Sequence, residues 1–494
     1  MERFRRFGIR IQVIPGASAQ KLLEALNVLA RGGRYRIYAS KGVRHPSVST
    51  LAASREWIEI SLDVMAVVAA DPEQLFTINK DLAKFLERST LDRQNRLMVS
   101  GLKASLSSAG NHPHKLQNRK FIRRFVVQVF HLQATSIAPL GALALDLNQP
   151  EFGEEEGHSS LLDRRLEKIA VRTLYALNLQ MGEVTINAGE DGRFTVEHVS
   201  PMPDFRGEER AEQAAKAVLN TVLELYQQSG AEKEQQTLLG MDPEFLLFNR
   251  ATGKVIPASR YLELAGEAGC DSLRYRGERR FPLVELRPQP GGEPREVLVH
   301  LLRAFRLAYQ SIDDKALQWQ AGGMPQRGFP LGGHLHFSGI PLTFELLQAL
   351  DNYLALPVAV LEDQRGSQRR PRYGFLGDFR LQRHGGFEYR TLPSFLVSPL
   401  VTKGVVAIAA LIAGHEEHLK RRPLLDDRIY TAFYKGDQNQ LREVLPELHA
   451  DLSSLAAYSK YESYIAPFME AACSGRTWDE TTDIRKPWKL ENHS

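Results

Sequence analysis

The sequence predicts an α+β protein of two domains, and three observations carry that prediction. The chain is 494 residues long, more than a single core usually serves. A polar stretch, "QQSGAEKEQQTLL" at 227–239, interrupts it after the helix-like run "AEQAAKAVLNTVLELY". Beyond that break, four short segments place polar side chains two residues apart between apolar ones, the pattern of strands with one packed and one polar face. The expected domains are 1–230 and 238–480.

Composition narrows the classes. Hydrophobic residues make up 43% and charged residues 25% of the chain, as expected of a globular protein with large cores. The 63 basic and 59 acidic residues nearly cancel, for a net charge of +4. That balance offers no broad field for nucleic acid. The local basic clusters "RRFGIR", "HKLQNRKFIRR" and "RGSQRRPR" are read as solvated faces. Two cysteines, Cys270 and Cys473, form neither a disulfide framework nor a CxxC metal site, so a reducing, cytoplasmic setting is expected. "MERFRRFGIRIQVIPG" turns charged before any apolar run of signal-peptide length. "VVAIAALIAG" at 405–414 falls short of a bilayer span, so no membrane partner is expected.

In chain order, the four polar pairs start with "GMDPEFLLF", which aims Asp242 and Glu244 to one side. "PLVELRP" does so with Glu285 and Arg287, leaving Val284 and Leu286 for the other face. "GGHLHFSG" aligns His334 with His336; Gly332 and Gly333 permit a close approach or sharp entry, and Gly339 ends the strand. "FEYRTLP" aligns Glu388 with Arg390. Any one pair could be a solvated strand face. Together they supply carboxylates and imidazole suited to magnesium or manganese, and guanidinium forks suited to phosphate or carboxylate oxygens. Metal, arginine and carboxylate on one face describe a phosphoryl-transfer site.

"GMDPEF", "VELRP", "GGHLHFSG" and "FEYRTLP", in this order over residues 238–430, resemble the motifs of carboxylate–amine ligases related to glutamine synthetase and glutamate–cysteine ligase, most closely the amidoligases of phages and bacteria. The resemblance implies a glutamine-synthetase-like domain with a curved antiparallel sheet backed by helices. It implies ATP and Mg2+, with Mn2+ as the substitute, and places Asp242, Glu244, Glu285, His334 and Glu388 as metal ligands. It puts His336 as a further ligand or its neighbour at the nucleotide, Arg390 and Arg380 (in "YGFLGDFR") at the nucleotide phosphates or the acyl phosphate, and Arg287 at the substrate carboxylate or a phosphate. "GCDSLRYRG", with Asp271, Arg274 and Arg276, resembles a loop near the substrate.

The implied reaction makes an amide or isopeptide bond. A carboxylate is first phosphorylated by ATP, because oxide is a poor leaving group, and an amine then displaces phosphate. Acid and amine are open: small molecules, peptides or proteins all qualify. The chain itself is open to homo-oligomeric assembly. No GxxxxGK[ST], HExxH or GxSxG motif is present. "HEEH" at 415–418 lacks zincin spacing and is read as an exposed turn. The competing readings are a metal-dependent hydrolase and a non-catalytic nucleotide- or peptide-binding protein.

In the first region, "LFTINKDLAKFL", "FIRRFVVQVFHLQATSIAPLG", "RRLEKIAVRTLYALNL" and "MGEVTINAGEDGRFTVEHVSPMP" resemble the order of elements in ATP-grasp domains, in divergent form. Glu183, Glu197, His198 and Ser200 stand where metal ligands would be; Lys80, Arg123 and Arg124 are candidates for phosphate, with surface positions as the alternative. The apolar periodicity of 398–422 and 440–473 predicts helices behind the second sheet. The polar tail "TTDIRKPWKLENHS" is expected to fray.

Overall fold

The computed structural model describes residues 4–13, 17–30, 35–41, 56–65, 73–107, 123–140, 160–189, 192–205, 207–228, 236–275, 278–383 and 385–490. Arg276 and most of "HKLQNRKFIRR" lie outside them, as do the side chains of Arg5 and Arg6. The chain divides into two compact units, Met1–Glu232 and Lys233–Ser494.

The first unit has the α+β character expected of it. β1 (Phe4–Val13), α1 (Ala17–Leu29), β2 (Tyr35–Lys41), β3 (Glu56–Met65) and β4 (Glu73–Ile78) build a sheet ordered β2-β3-β1-β4. After α2 (Leu82–Glu87) and α3 (Thr90–Val99), a second sheet forms in the order β6-β5-β7-β8 from β5 (Arg123–Phe130), β6 (Gln133–Leu140), β7 (Met181–Ala188) and β8 (Phe194–Ser200). α4 (Leu161–Ala176) packs on this second sheet. It starts at a capping box in which Ser160 and Asp163 satisfy each other's backbone N–H groups, donors that a helix otherwise leaves without partners. α5 (Glu208–Gln228) lies against α1, and Ile9, Ile11, Leu22, Leu26, Val218 and Val222 fill the core between them and the first sheet.

The second unit is built on an eight-stranded sheet whose pairings are all antiparallel and which curls into a half-barrel. Its strands are β9 (Leu238–Asn249), β10 (Lys254–Ile256), β11 (Ala268–Tyr275), β12 (Glu278–Leu286), β13 (Leu317–Gln320), β14 (Gly333–Ser338), β15 (Phe379–Leu381) and β16 (Phe387–Tyr389). The main path runs β11-β12-β9-β14-β16-β15, with β10 and β13 added along β9. The four strands that carry the sequence motifs are therefore consecutive neighbours. Pro243, which has no N–H to give a ladder, sits where β9 passes from pairing β14 to pairing β12.

α6 (Pro294–Ser311) packs against β9, β11 and β12. There Phe245 of β9 stacks on Trp319 at 4.7 Å between ring centroids and faces Phe305 of α6 at 6.0 Å. These aromatic rings anchor the convex side by area burial and by ring–ring attraction. α7 (Phe344–Leu350) runs through a wider π-turn at Asp351–Ala355 into α8 (Leu356–Leu361). α9 (Pro399–His415) starts at the Ser398 cap and packs on α6 and α7. α10 (Asp427–Lys435), α11 (Gln438–Arg442), α12 (Leu445–Ser453), α13 (Tyr458–Cys473) and α14 (Arg485–Trp488) follow, α13 lying along α9. The helices α9 and α13 thus lie on other helices, while α6 covers the strands directly and α14 meets β13. Phe344–Leu361 and Pro399–His418 are long and apolar enough to cross a bilayer by length and composition, but 94% and 56% of these windows are buried inside the protein, as core helices are. "HEEH" ends α9 in a partly exposed turn.

Two expectations are corrected. "RGSQRRPR" is not a solvated face: Arg369 and Arg370 are buried. Arg370 pairs with Glu362 at 2.6 Å and lies over the Phe433 ring, while Arg369 donates to the carbonyls of Leu331 and Thr391. Buried carbonyls and a buried carboxylate supply the partners that let these guanidinium groups leave water. Nor does the tail fray through residue 490. Ile484 N–H donates to Trp319 O at 2.9 Å, Arg485 donates to Leu317 O at 2.7 Å, and the Trp488 indole N–H reaches Leu396 O at 2.8 Å. Backbone carbonyls of β13 and of Leu396 accept these bonds and hold a segment that has little apolar periodicity of its own.

Candidate active site

Alternation along β9 turns Asp242 and Glu244 to the concave face while Met241 and Phe245 enter the core behind it. β14 alternates buried and half-buried positions from Gly333 to Ser338, which puts His334 and His336 on the same concave side. His334 is paired in register with Asp242, and His336 with both Gly240 and Glu388. Glu285 lies across from Glu244 on β12, and Arg380 across from Glu388 on β15. Register alone therefore gathers the charged groups.

The side chains sort into two adjoining sets. Asp242, His336 and Glu388 each bring a ligand atom within 4.8 Å of the others, and so do Glu244, Asp271 and Glu285. His334 borders the first set, with Nδ1 3.0 Å from Asp242 Oδ1 and 3.3 Å from Glu388 Oε1. His336 Nε2 is 3.1 Å from Asp242 Oδ2, and its Nδ1 meets the Gln382 side-chain amide at 3.2 Å. Arg380 and Arg390 both bond Glu388, and Arg287 bonds Glu285. The Glu388 carboxylate is fully buried, whereas the Arg380 side chain is 62% exposed. That arginine has one end on the site and the other in solvent.

Asp271 joins the acids although its contacts could not be assigned from sequence. It lies on β11 beside β12, with a register shift between Asp271 and Leu273, so no simple alternation marks its direction. Arg274 is exposed farther along the same strand. The glycines serve the packing of the site itself. A Cβ on Gly332 would overlap the His334 ring, one on Gly333 the Pro393 carbonyl, and one on Gly269 the Arg287 guanidinium. Gly332 also donates its N–H to Glu244 Oε2 at 2.6 Å. Gly339, at φ +79°, ends β14 in a conformation that suits glycine.

The electrostatics are those of an acid cluster lacking positive charge. Five carboxylates face three arginines paired with them, so two of the acids must find their counter-charge elsewhere or keep a proton. Burial, then Asp242, pushes the Glu285 carboxyl up to about 8 despite Arg287. Burial also raises Glu244 well above the carboxylate range, against the Gly332 N–H and with help from Glu285 and Asp271. Asp242 goes the other way: burial would raise it, but His334 and His336 outweigh burial and hold it low. His336 in turn is lowered by burial and raised more by Asp242.

Hydrogen-bond accounting tests whether a metal suits these residues. Asp242 Oδ1, His334 Nδ1, His336 Nε2 and Glu388 Oε2 are buried without a hydrogen bond of proper geometry. Such orphaned groups are costly unless something else satisfies them. Carboxylate oxygens and imidazole nitrogens that converge in ion-pair contact while their hydrogen-bond geometry stays incomplete fit a hard or intermediate divalent cation.

The first-region candidates are arranged differently. Glu197 pairs with Arg124 at 2.9 Å and accepts from the Asn187 side chain at 3.0 Å. Glu183 accepts from Gln128 and from the Asp204 N–H, both at 3.1 Å. The Ser200 hydroxyl donates to Met202 O at 2.6 Å. Arg123 and Lys80 are exposed, and His198 is half-buried beside Glu197 on β8.

The profile of the family described as "Phage phiEco32-like COOH.NH2 ligase-type 2" matches residues 239–490. The chain belongs to this family of carboxylate–amine ligases. A search of curated proteins finds no match. Among solved structures, the bifunctional glutathione synthetase of Pasteurella multocida matches at 11% identity and a TM-score of 0.32, over 55% of this chain and 52% of its own. This chain thus spans about half that enzyme's length. Glutamine synthetase of Plasmodium falciparum matches at 11% identity and TM-score 0.23, over 65% of this chain and 77% of its own. A macrocyclase of Microcystis aeruginosa matches at 12% and 0.23, over 42% of this chain and 95% of its own. At these TM-scores the structural likenesses carry no argument; membership rests on residues 239–490.

Proposed function

We propose that the second unit is an ATP- and Mg2+-dependent carboxylate–amine ligase that forms an amide or isopeptide bond through an acyl phosphate. One observation carries the reading: on one concave face, buried carboxylates and imidazoles converge in two adjoining sets, flanked by guanidinium groups. Asp242, His336 and Glu388, with His334 beside them, would hold one cation and Glu244, Asp271 and Glu285 another. Mg2+, or Mn2+ in its place, supplies neutralisation of the triphosphate when bound. Arg380 and Arg390 would hold the transferred phosphoryl group as bidentate donors, and Arg287 the carboxylate of the acid substrate.

In the reaction, a carboxylate oxygen of the acid attacks the γ-phosphorus and the bond to ADP breaks. The neutral amine then attacks the acyl carbon, phosphate leaves with the C–O electrons, and the amine proton passes to a nearby carboxylate. The buried strands exclude water that would otherwise hydrolyse the acyl phosphate. A metal-dependent hydrolase could use the same acids, but it assigns no task to the guanidinium groups on Glu285 and Glu388.

The test is ADP release by the full chain with Mg2+-ATP against pools of amino acids and short peptides, with hydroxylamine present in parallel. Release that needs both an acid and an amine, with a hydroxamate trapped from the acid alone, is expected. Substrate turnover without ATP would establish the hydrolase instead.

A further inference from the structure

Glu480 is buried outside the acid cluster, in the segment that follows α13. Its carboxylate accepts the N–H of Gly323, the N–H of Met324 at 2.9 Å and the indole N–H of Trp478 at 3.3 Å. Glycines make room for it. A Cβ on Gly322, which has φ +118°, or on Gly366 would overlap the Glu480 side chain, and one on Gly323 would overlap the Gly366 backbone. Two paths lead from this turn to Glu244. Gly323 O accepts the N–H of Leu331 at 2.9 Å, and the next N–H, that of Gly332, bonds Glu244 Oε2. Gly322 O accepts the N–H of Ser394 at 3.1 Å, and the Ser394 hydroxyl donates to the Glu244 carbonyl.

We propose that Glu480 is a positioning residue for the cation site: by holding the 322–324 turn, it sets the Gly332 N–H and the Ser394 hydroxyl that aim Glu244. The inference rests on the reading of Glu244 as a cation ligand. The carboxyl has the geometry for the task, since its two oxygens accept two successive backbone N–H groups at once. Groups that orient metal ligands change metal affinity when removed, typically ~10–100-fold.

The test measures Mn2+ binding to the full chain without nucleotide, by electron paramagnetic resonance, beside the thermal midpoint. Glu480→Ala is expected to weaken Mn2+ binding about tenfold. Glu480→Gln, which keeps one acceptor oxygen, falls between it and the wild type. Leu445→Ala, in the α12 core, lowers the midpoint and leaves affinity unchanged. If Glu480→Ala does not fold, Glu480→Asp applies the same test by withdrawing the carboxylate one methylene. Variants at 480 that keep wild-type Mn2+ affinity while losing stability would overturn the proposal alone. A wild-type chain that binds no Mn2+ would overturn the cation site, and this inference with it.

Discussion

In the first unit Glu197 closes on Arg124 and Asn187, and Glu183 closes on Gln128 and a backbone N–H. In the second unit Asp242, His334, His336 and Glu388 crowd together within one another's reach. Both units carry acids and bases on neighbouring antiparallel strands, so residue type does not distinguish them. Composition of the cluster does: the first-unit acids each close on an amide, a guanidinium or a backbone N–H, whereas the second-unit cluster gathers five carboxylates and two imidazoles on one face, a donor set of the kind a divalent cation takes.

Matched substitutions in the two units should behave differently. Glu388→Gln is expected to lower kcat/KM by ~10²–10³-fold or more, the scale for losing a preorganised charge, and to abolish most Mn2+ binding. Glu183→Gln should cost about 1 kcal/mol of stability and leave kcat/KM within about threefold. Steady-state assays and thermal melts on both variants check this, and equal loss of activity would remove the distinction.

A smaller effect concerns pH. Glu285 keeps its proton up to about 8 in the cation-free protein, while in the unfolded chain it ionises near its ordinary value of 4.5. Between those values the native state binds more protons, so cation-free stability should fall as pH rises and level off above about 8. A cation must displace that proton, so apparent Mg2+ affinity should rise by up to about tenfold per pH unit below 8. Isothermal titration at pH 6, 7 and 8 would sharpen the comparison; affinity independent of pH would argue that Glu285 is not a ligand. The smallest effect expected is that of Gly332→Ala. Its methyl would press on the His334 ring and disturb the N–H that bonds Glu244, weakening Mn2+ binding ~3–10-fold with the fold retained.

Much of the site was legible because strand alternation is local. The i, i+2 spacing in "GMDPEF", "VELRP", "HLHFS" and "FEYR" was enough to name Asp242, Glu244, Glu285, His334, His336, Glu388, Arg287 and Arg390 as groups sharing a face. Asp271 was named without a role, because the register shift beside it spoils the alternation that would have shown its direction. Glu480 went unnoticed because its task is to accept two N–H groups more than 150 residues away in sequence, and a polar tail carries no periodicity to mark such a partner. The burial of Arg369 and Arg370 escaped for a related reason. A run of basic residues reads as solvated until the carbonyls and carboxylate that receive it are seen.

From the order of residues alone came the α+β character and which side chains could face together along each strand, since these follow from composition and from the two-residue period of the backbone. Tertiary structure alone decided that the motif strands are neighbours, that their acids fall into two sets, and that the C-terminal segment reaches the turn behind Glu244. Those facts depend on hydrogen bonds between residues far apart in the chain, and no local pattern encodes which distant strand or carbonyl will complete a given donor.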